Sequence, residues 1–554
     1  MTTVLESGVV TAPDVAAADR VSVRTVRTRR VFAMLMVLAP LGWALHRALA
    51  DAGPHVNGGG WEWLRRLVAS IFTPELDPSF LGLVARAAVV TVTFAVLGTA
   101  LALVFGAIGG VVLSQVVSAQ RGPLPLRLVR LAVQGILVAL RSVHELVWGL
   151  LLVAVLALDP LVAVLAIAIP FGAQSAKVFA DIIDTVPRAA YLALTRAGAP
   201  RLSALSYGLV PGALPLLWSY STYRFECALR SAIVLGVVGV GGLGQELVLS
   251  LQSRNWAEVW TLVWAVVLLA GVVDWVSGRA RTERRAPTCA QLPGDRVRVI
   301  SSGRRRVRGW LLVGALLLAC VVGSGVRLDG LFSERTRTQA ARLGADLWPP
   351  RVPGGSWSSL GSAALDTVAM AVLAMALAVA ITALLAPGAA SRGRLVRVPS
   401  RVSLLLLRSM PPTVWAVLCL FVLFPGILPG ALALGLYTAG ILGRLVAQAW
   451  ESIDRAPQVA LERAGVPPLL ASAVSVLPAS AQHLVFYSLY RFEICVRDTA
   501  VVGIVGAAGL GGILSERLAV FDYGSVTTVL AALFLLSLGS EIVGRRVRSW
   551  LAAG

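Results

Sequence analysis

The sequence predicts an all-α fold: a polytopic bundle of transmembrane helices built from two tandem, parallel repeats of about six spans each. Three observations predict this fold. The 554 residues are 57% hydrophobic and only 14% charged, with a mean hydropathy of +0.80, which is far too apolar for a soluble chain of this size. Apolar runs of about 20 residues, long enough to span a bilayer, recur along the whole length. Much of the second half repeats the first half at a fixed offset.

Each half is predicted to cross the membrane about six times. The apolar runs of the first half cover residues 31–50, 81–113, 131–158, 160–180, 211–240 and 257–277, and the corresponding set lies between residues 309 and 543. An even number of spans returns the chain to the same side, so the two copies are parallel rather than inverted. The first run lacks a clear small-residue cleavage site and another apolar stretch soon follows, so we interpret it as an uncleaved span.

The hydropathy divides the chain into four segments. These are an N-terminal cytoplasmic segment at 1–30, a first membrane unit at 31–277, a basic linker at 278–308 and a second membrane unit at 309–548. The formal net charge of +20 comes largely from arginines in the connections between apolar runs, which argues against a folded basic face for nucleic acid. By the positive-inside rule, both termini and the linker are predicted to be cytoplasmic.

The internal repeat has one offset, which carries position 223 to position 490. Tyr223-Arg224-Phe225-Glu226 returns there as Tyr490-Arg491-Phe492-Glu493. The same offset maps Arg141-Ser142 onto Arg408-Ser409, Trp148 onto Trp415, Pro211 onto Pro478, Arg230 onto Arg497 and Gly242-Leu243-Gly244 onto Gly509-Leu510-Gly511. Because charges, glycines and prolines match as well as apolar residues, chance similarity between membrane segments does not explain the repeat. The two halves therefore share an ancestor.

A segment between the fourth and fifth spans of each half, residues 181–210 and 448–477, is too polar to cross a bilayer. The first contains Ala193-Leu194-Thr195-Arg196-Ala197-Gly198 and the second Ala460-Leu461-Glu462-Arg463-Ala464-Gly465, and in each a proline follows the glycine at the same distance. The pattern predicts a cytoplasmic helix, a glycine turn and a second short helix that ends at the proline.

Charged residues lie about halfway along the fifth span of each half: Arg224, Glu226 and Arg230, repeated as Arg491, Glu493 and Arg497. Placing a charge at the bilayer centre costs roughly 2.5–3.5 kcal/mol of free energy on insertion scales. These side chains therefore need ion-pair partners inside the helix bundle or a water-filled cavity. Their spacing allows Glu226–Arg230 and Glu493–Arg497 pairs along one helical face. Arg224 and Arg491 are then left to bind an anion, since the planar guanidinium suits phosphate-like oxygens. The alternative is that all six charges form ion pairs that hold helices together.

The two polar segments resemble the cytoplasmic signature of the inner-membrane permeases of bacterial ABC importers, which has Glu-Ala-Ala, three residues, glycine and a proline at this spacing. The resemblance implies that each segment forms a coupling helix that docks on an ATPase subunit. The implied coupling residues are Ala193, Arg196 and Gly198 in the first copy and Ala460, Glu462, Arg463 and Gly465 in the second. Leu192 and Val459 stand where the signature has its first glutamate, so a salt contact made there by other permeases is in doubt.

Two further motifs look like the phosphonate-type branch of these permeases. They are residues 141–148, RSVHELVW, and residues 223–244, YRFECALRSAIVLGVVGVGGLG. The resemblance implies that the cargo is phosphonate or a related phosphorus oxyanion, including phosphate and phosphite. It also implies that Arg141, Glu145 and Arg408 belong to the substrate pathway together with the charges of the fifth spans.

The second copy departs from the first at the start of the third span, where Pro411 and Pro412 replace His144 and Glu145. Any role of Glu145 is then carried by one half alone, and the pore is expected to be asymmetric. Family members usually have one unit per chain and pair as homodimers, whereas this chain resembles a fusion of two units.

No catalytic site, metal site or cofactor is predicted. The cysteines and histidines show no metal-ligand spacing, and the one lysine, Lys177, follows Ala176, so the chain has no GxxxxGK[ST] loop. The glycine run at 239–244 fits a helix terminus or close helix packing better than a nucleotide loop. The resemblance implies as partners two ATP-binding cassette subunits, which hydrolyse ATP, and an extracytoplasmic binding protein. The chain itself is expected in the bacterial plasma membrane, in contact with lipid.

Three rival functions remain open on the sequence. The first is a permease of the same architecture for another small solute, such as methionine. The second is an ion-coupled secondary transporter with two parallel halves. The third is a structural or channel-like membrane protein in which the charges only join helices.

Overall fold

The computed structural model describes residues 37–50, 56–116, 124–282, 314–323, 325–326, 329–391 and 393–552. The predicted N-terminal segment and most of the predicted linker lie outside these residues. The described part is helical, and its one β-contact is an isolated antiparallel bridge between Val56 and Leu423.

The first half contains helices α1 to α11. Their bounds are α1 37–49, α2 Gly60–Ala69, α3 Pro78–Leu113, α4 Leu124–Ser142, α5 Glu145–Leu156, α6 Pro160–Thr185, α7 Ala189–Arg196, α8 Arg201–Ala204, α9 Val210–Leu235, α10 Leu243–Gln252 and α11 Trp256–Thr282. Local signals in the sequence start the long helices. Asp77 and Asp159 cap α3 and α6 by accepting a backbone hydrogen bond, and each is followed by a proline at the first helical position, where a missing N–H costs nothing.

The second half contains helices α12 to α21. Their bounds are α12 Gly314–Gly323, α13 Glu334–Asp346, α14 Trp357–Ala389, α15 Arg394–Ser409, α16 Pro412–Val422, α17 Ile427–Ser452, α18 Ala456–Arg463, α19 Pro468–Ile504, α20 Leu510–Ala519 and α21 Tyr523–Ala552. The predicted repeat therefore has a structural counterpart, because α14 to α21 follow the order and lengths of α3 to α11 closely.

Within the described residues, 7 helices are long and apolar enough to cross a membrane, or up to 9 if each of two bent pairs counts as one span. The bent pairs are α4 with α5, at 94°, and α15 with α16, at 90°. The third predicted span, at 131–158, is not one straight helix. His144 breaks it, because its backbone is extended and its Nδ1 accepts the N–H of Leu146, and Pro411 occupies the same place in the second half.

The glycine run after α9 forms a tight turn that leads into α10, as the sequence predicts. Gly242 has φ +85°, a left-handed conformation that only glycine adopts cheaply. A Cβ on Gly244 would lie 1.8 Å from the carbonyl oxygen of Ile233. Thr91 of α3 accepts the backbone N–H of Leu243 at 2.9 Å in a buried position, which satisfies one of the free donors at the start of α10.

Replacing Thr91 with Val should therefore destabilise the protein by about 1–3 kcal/mol, because the shape is kept while the buried N–H of Leu243 loses its acceptor. Thr367 accepts the N–H of Leu510 at 2.9 Å in the second half, so Thr367→Val should have a similar cost. Thermal unfolding of the purified protein measures both effects. Thr338→Val, on the exposed surface of α13, is the matched control. Equal stability of Thr91→Val and Thr338→Val would contradict the expectation.

The two halves exchange elements across their interface. Helix α1 of the first half packs on the second half, where Arg47 donates to Asp366 at 2.6 Å and Ala44 and Ala48 join the core around α14 and α17. Val147 of α5 is buried in a core of the second half. Val414, its counterpart on α16, is buried in a core of the first half. The halves are thus interlocked, and their contact surface is continuous with both hydrophobic cores.

Candidate functional site

A cavity of about 1090 Å³ lies between the two halves. Its wall includes Gly212 in the first turn of α9 and Glu451 in the last turn of α17, so it extends toward the end of the molecule that carries α7 and α18. Among the described residues, seven arginines and four carboxylates line it: Arg141, Arg224, Arg230, Arg408, Arg444, Arg491 and Arg497, with Glu145, Glu226, Glu451 and Asp498. Cations outnumber anions on the cavity wall.

One group of charges joins α4 and α6 of the first half to α21 of the second half. Arg141 lies 3.2 Å from Glu541, and Lys177 lies 3.6 Å from the same carboxylate. The side chains of Arg141 and Glu541 are 12% and 15% exposed. We call these three residues the first triad.

The same arrangement recurs at the repeat offset and joins the halves in the opposite sense. Asp274 of α11 accepts hydrogen bonds from Arg444 of α17 at 2.8 Å and from Arg408 of α15 at 3.3 Å. Glu226 lies 3.5 Å from Arg444 as well. Arg408, Arg444 and Asp274 form the second triad, and Arg408 is 7% exposed. Desolvated charges of this kind are stabilised only while each keeps its partner.

The intrahelical pairs expected in the fifth spans are not formed. Glu226 contacts Arg444 of the other half instead of Arg230. No described carboxylate lies within 4.0 Å of the Arg230 guanidinium. Glu493 and Arg497 likewise form no ion pair with each other. Glu493 is also absent from the cavity wall. Two of these charges reach across the interface instead: Glu226 contacts Arg444 of the second half, and Arg497 donates to the backbone carbonyl of Arg141 of the first half.

Several guanidinium nitrogens facing the cavity have no acceptor among the described residues. Arg491 is 6% exposed, and its Nε and Nη2 are buried without a hydrogen bond, as are the Nε atoms of Arg224 and Arg497. Arg224 stacks over Phe171 at 4.3 Å, and Arg497 donates Nη1 to the carbonyl of Arg141 at 2.7 Å. A buried guanidinium with free donors is costly unless an anion or water satisfies it.

His144, Glu145 and Asp498 form a cluster on the same wall. His144 Nδ1 accepts the N–H of Leu146, so the ring proton lies on Nε2. This nitrogen is 3.5 Å from Glu145 and 3.7 Å from Asp498. Ser231 donates to Glu145 at 2.5 Å. His144 therefore stands between a carboxylate of the first half and a carboxylate of the second half.

The predicted cytoplasmic segments have the predicted helix and glycine turn. Helix α7 ends at a turn in which Ala199 donates to Leu194 at 3.0 Å and Gly198 donates to Thr195 at 3.2 Å, and Gly198 has φ +85°. The hydrogen-bond pattern is that of a Schellman cap. Gly465 has the same φ and closes α18 with equivalent bonds.

The second short helix does not end at the proline, which corrects the prediction. In the first half α8 passes through a π-turn at Leu205–Leu209 directly into α9. In the second half α19 runs without a break from Pro468 to Ile504 and contains Pro478. Ala193, Arg196, Gly198, Ala460, Arg463 and Gly465 are exposed, and Glu462 is half-buried.

Sequence reasoning missed Asp274, Glu541, Arg444 and Asp498. The first three lie near the ends of apolar runs, where charge is common. The repeat offset contained the signal, since it pairs Asp274 with Glu541 and Lys177 with Arg444. It also aligns Ser231 with Asp498, so a neutral residue in the first half corresponds to a charged residue in the second half.

The chain has relatives of stated function. It is 28% identical over 498 residues to the phosphate-import permease protein PhnE of Mycolicibacterium smegmatis, with 88% of each chain covered. It is 32% identical over 233 residues to the phosphite transport system permease protein PtxC of Stutzerimonas stutzeri, covering 41% of this chain and 82% of that one. It is 31% identical over 105 residues to the putative cryptic phosphonate transport system permease protein PhnE2 of Escherichia coli K12, covering 19% and 86%.

The same family pattern occurs once in each half. Residues 116–279 and residues 376–552 both match the family described as binding-protein-dependent transport system inner membrane component. Together the two matches cover more than half of the chain, and each includes a glycine turn, a fifth span and part of the wall of the shared cavity. The chain therefore belongs to the family of inner membrane components of binding-protein-dependent transport systems.

Proposed function

We propose that this chain is the complete pair of membrane domains of an ABC importer for a phosphorus oxyanion: phosphonate, phosphate or phosphite. The observation that carries the proposal is the set of buried guanidinium nitrogens that have no acceptor in the described part of the chain, above all Nε and Nη2 of Arg491, in a cavity where cations outnumber anions. A tetrahedral oxyanion supplies several acceptors at once and would offset the charge. The names of the relatives, which refer to phosphate, phosphite and phosphonate, support this choice of cargo.

Two ATPase subunits would dock on the cytoplasmic helices, one on α7 and one on α18. Around α7, Tyr191 is buried in a small local core, whereas Leu192, Leu202 and Tyr207 are 43%, 71% and 79% exposed. An apolar face beside a rigid glycine turn suits a protein partner. ATP hydrolysis by these subunits would rock the halves around the cavity, and a binding protein would deliver the oxyanion at the opposite face.

The orientation follows from the same arrangement. The cavity end that carries α7 and α18 faces the cytoplasm, and both termini lie on that side because the arginine-rich connections are retained inside. The proposal keeps the predicted segments, which are the N-terminal segment up to residue 30, the first membrane unit up to residue 277 and the linker up to residue 308.

Uptake of labelled phosphate and of a labelled phosphonate, in cells that also express the ATPase and the binding protein, tests the function. Arg224→Ala combined with Arg491→Ala should lower uptake at least about tenfold, because a hydrogen bond to a charged group contributes about 1.5–3 kcal/mol. Arg337→Ala on the exposed face of α13 is the matched control, and membrane levels are checked by immunoblot.

Other outcomes select the rivals. Uptake of methionine in place of either phosphorus compound would identify a permease for another solute. Uptake that persists without ATPase subunits would identify a secondary transporter. Normal phosphate uptake by the double arginine variant would overturn the anion pathway.

A further inference from the structure

Asp498 is a buried carboxylate with unused acceptor capacity. It lines the cavity and is 7% exposed. The nearest basic side-chain nitrogens are His144 Nε2 at 3.7 Å and Arg491 Nη2 at 3.9 Å, and both distances are too long for hydrogen bonds. Among the residues that the structure describes, none donates a hydrogen bond to either of its oxygens. The carboxylate can therefore accept from a group inside the cavity.

Free donors lie beside this acceptor. Arg491 stands seven residues earlier on α19, which is two helical turns and thus the same face. Its Nε and Nη2 have no acceptor among the residues that the structure describes. Arg497 Nε is also free among the described residues. One wall of the cavity thus presents guanidinium donors together with a carboxylate acceptor. A ligand that matches this wall must accept several hydrogen bonds and donate at least one.

The arrangement occurs in the second half alone. In the internal repeat, Arg224 is equivalent to Arg491 and Ser231 is equivalent to Asp498. The Ser231 hydroxyl is already engaged, because it donates to Glu145 at 2.5 Å. Neutral Ser231 also carries no charge that would repel an anion. The two halves therefore contribute unequally to recognition, and the cavity has one donor–acceptor wall.

We propose that Asp498 is a specificity-determining residue. Its carboxylate accepts a hydrogen bond from the P–OH group of a protonated phosphorus oxyanion that is bound to Arg491, and this requirement excludes sulfate. This proposal rests on the proposed function. Phosphate, phosphite and phosphonate all carry an ionisable P–OH group in their monoanions, whereas sulfate has the shape of phosphate without a proton. A sulfate oxygen at that position would face the carboxylate with lone pairs on both sides, and the buried acceptor would lose its hydrogen bond.

The expected discrimination is large, because a site built to hydrogen-bond a substrate group rejects an analogue that lacks it more strongly than an apolar pocket does. In a cavity that contains some water, we expect wild type to bind phosphate at least about 100-fold more tightly than sulfate. Sulfate loses the hydrogen bond to Asp498 and is also repelled by its negative charge. Asp498→Asn keeps the shape and an accepting oxygen but removes the charge. It should raise sulfate affinity at least about tenfold and change phosphate affinity less.

The test uses the full chain in lipid nanodiscs, with saturable binding of radiolabelled inorganic phosphate and displacement by unlabelled phosphate or sulfate. The variants are Asp498→Asn, Asp498→Glu, which keeps the carboxylate and should retain sulfate exclusion, and Asp346→Asn. Asp346 is the matched control, because the same change removes a carboxylate from the exposed surface of α13, away from the cavity wall. A gain of sulfate binding cannot result from misfolding, so the assay separates recognition from stability.

The outcomes distinguish this proposal from the function on which it rests. Better displacement by sulfate in Asp498→Asn, but not in Asp346→Asn, supports the role of Asp498. If wild type binds phosphate and the preference over sulfate is unchanged in Asp498→Asn, the role of Asp498 is overturned while the anion function stands. If wild type shows no saturable phosphate binding, the proposed anion site is overturned and the specificity role with it.

Discussion

Replacing Gly198 and Gly465 together by proline should reduce phosphate uptake at least tenfold while phosphate binding to the purified chain stays intact. Both glycines have φ +85°, whereas proline fixes φ near −65°. Each glycine also donates a backbone hydrogen bond that closes its helix, at 3.2 Å to Thr195 and 3.1 Å to Glu462. Proline removes that donor, at a cost of about 3 kcal/mol or more where a helical bond is lost.

The effect should be confined to the segments around α7 and α18. No described atom lies within 4 Å of a Cβ built on either glycine, so the substitution disturbs no packing among the described residues and the spans should assemble normally. Under the proposed function, these segments would lose the geometry on which the ATPase subunits dock. ATPase activity in proteoliposomes, measured with and without binding protein, reports coupling directly.

The matched control is asparagine at both positions, because asparagine adopts the left-handed conformation more readily than other residues with a Cβ and keeps the N–H donor. It should preserve most of the uptake. Normal uptake by the proline pair, at normal membrane abundance, would show that the glycine turns are not needed for coupling.

Asp274→Asn should lower the free energy of unfolding by about 3–5 kcal/mol, because it breaks a desolvated ion pair. Asp274 accepts hydrogen bonds from Arg408 and Arg444 at once, and these side chains are 8% and 23% exposed. Removing the carboxylate charge leaves two guanidinium groups close together at the interface between the halves. Repulsion between them should also shift the halves apart.

Thermal unfolding in detergent micelles measures the loss, and Glu62→Gln is the control. Glu62 pairs with Arg66 on the exposed surface of α2 at 2.9 Å, with both side chains more than half exposed, and pairs of that kind contribute about 0–1 kcal/mol. Glu541→Gln should cost less than Asp274→Asn, because Lys177 in the first triad is 48% exposed and water can solvate its charge. Equal unfolding temperatures for Asp274→Asn and Glu62→Gln would refute the structural role of the second triad.

The pairing of charges illustrates why part of the site was not predictable. Glu226 and Arg230 stand four residues apart on one helix, and this spacing predicts a pair. In the structure Glu226 instead contacts Arg444, which lies on the other half and far away in sequence. Helical periodicity describes neighbours on the same helix, whereas the docking of the two halves brings Arg444 of α17 to within 3.5 Å of Glu226.

The third span shows a second limit of hydropathy. Residues 131–158 are apolar enough to read as one span, yet α4 and α5 meet at 94°. The bend depends on His144 capping α5 through its side chain. In the second half two adjacent prolines produce nearly the same bend without a histidine. Different residues at matched positions thus reach one geometry, and composition alone does not reveal it.

Sequence reasoning was enough to predict the membrane class, the two parallel copies, the positions of most spans and the glycine turns of α7 and α18. These features depend on local physics: apolar length, helix periodicity and the φ that glycine permits. Three other features became visible in the folded chain: α1 packs on the second half, two triads join the halves in opposite senses, and Asp498 stands beside Arg491 with acceptor capacity that no described residue uses. Those features arise where the two halves dock. Docking brings together residues that are far apart in sequence, and helical periodicity does not predict such contacts, because burial and charge pairing act through space rather than along the chain.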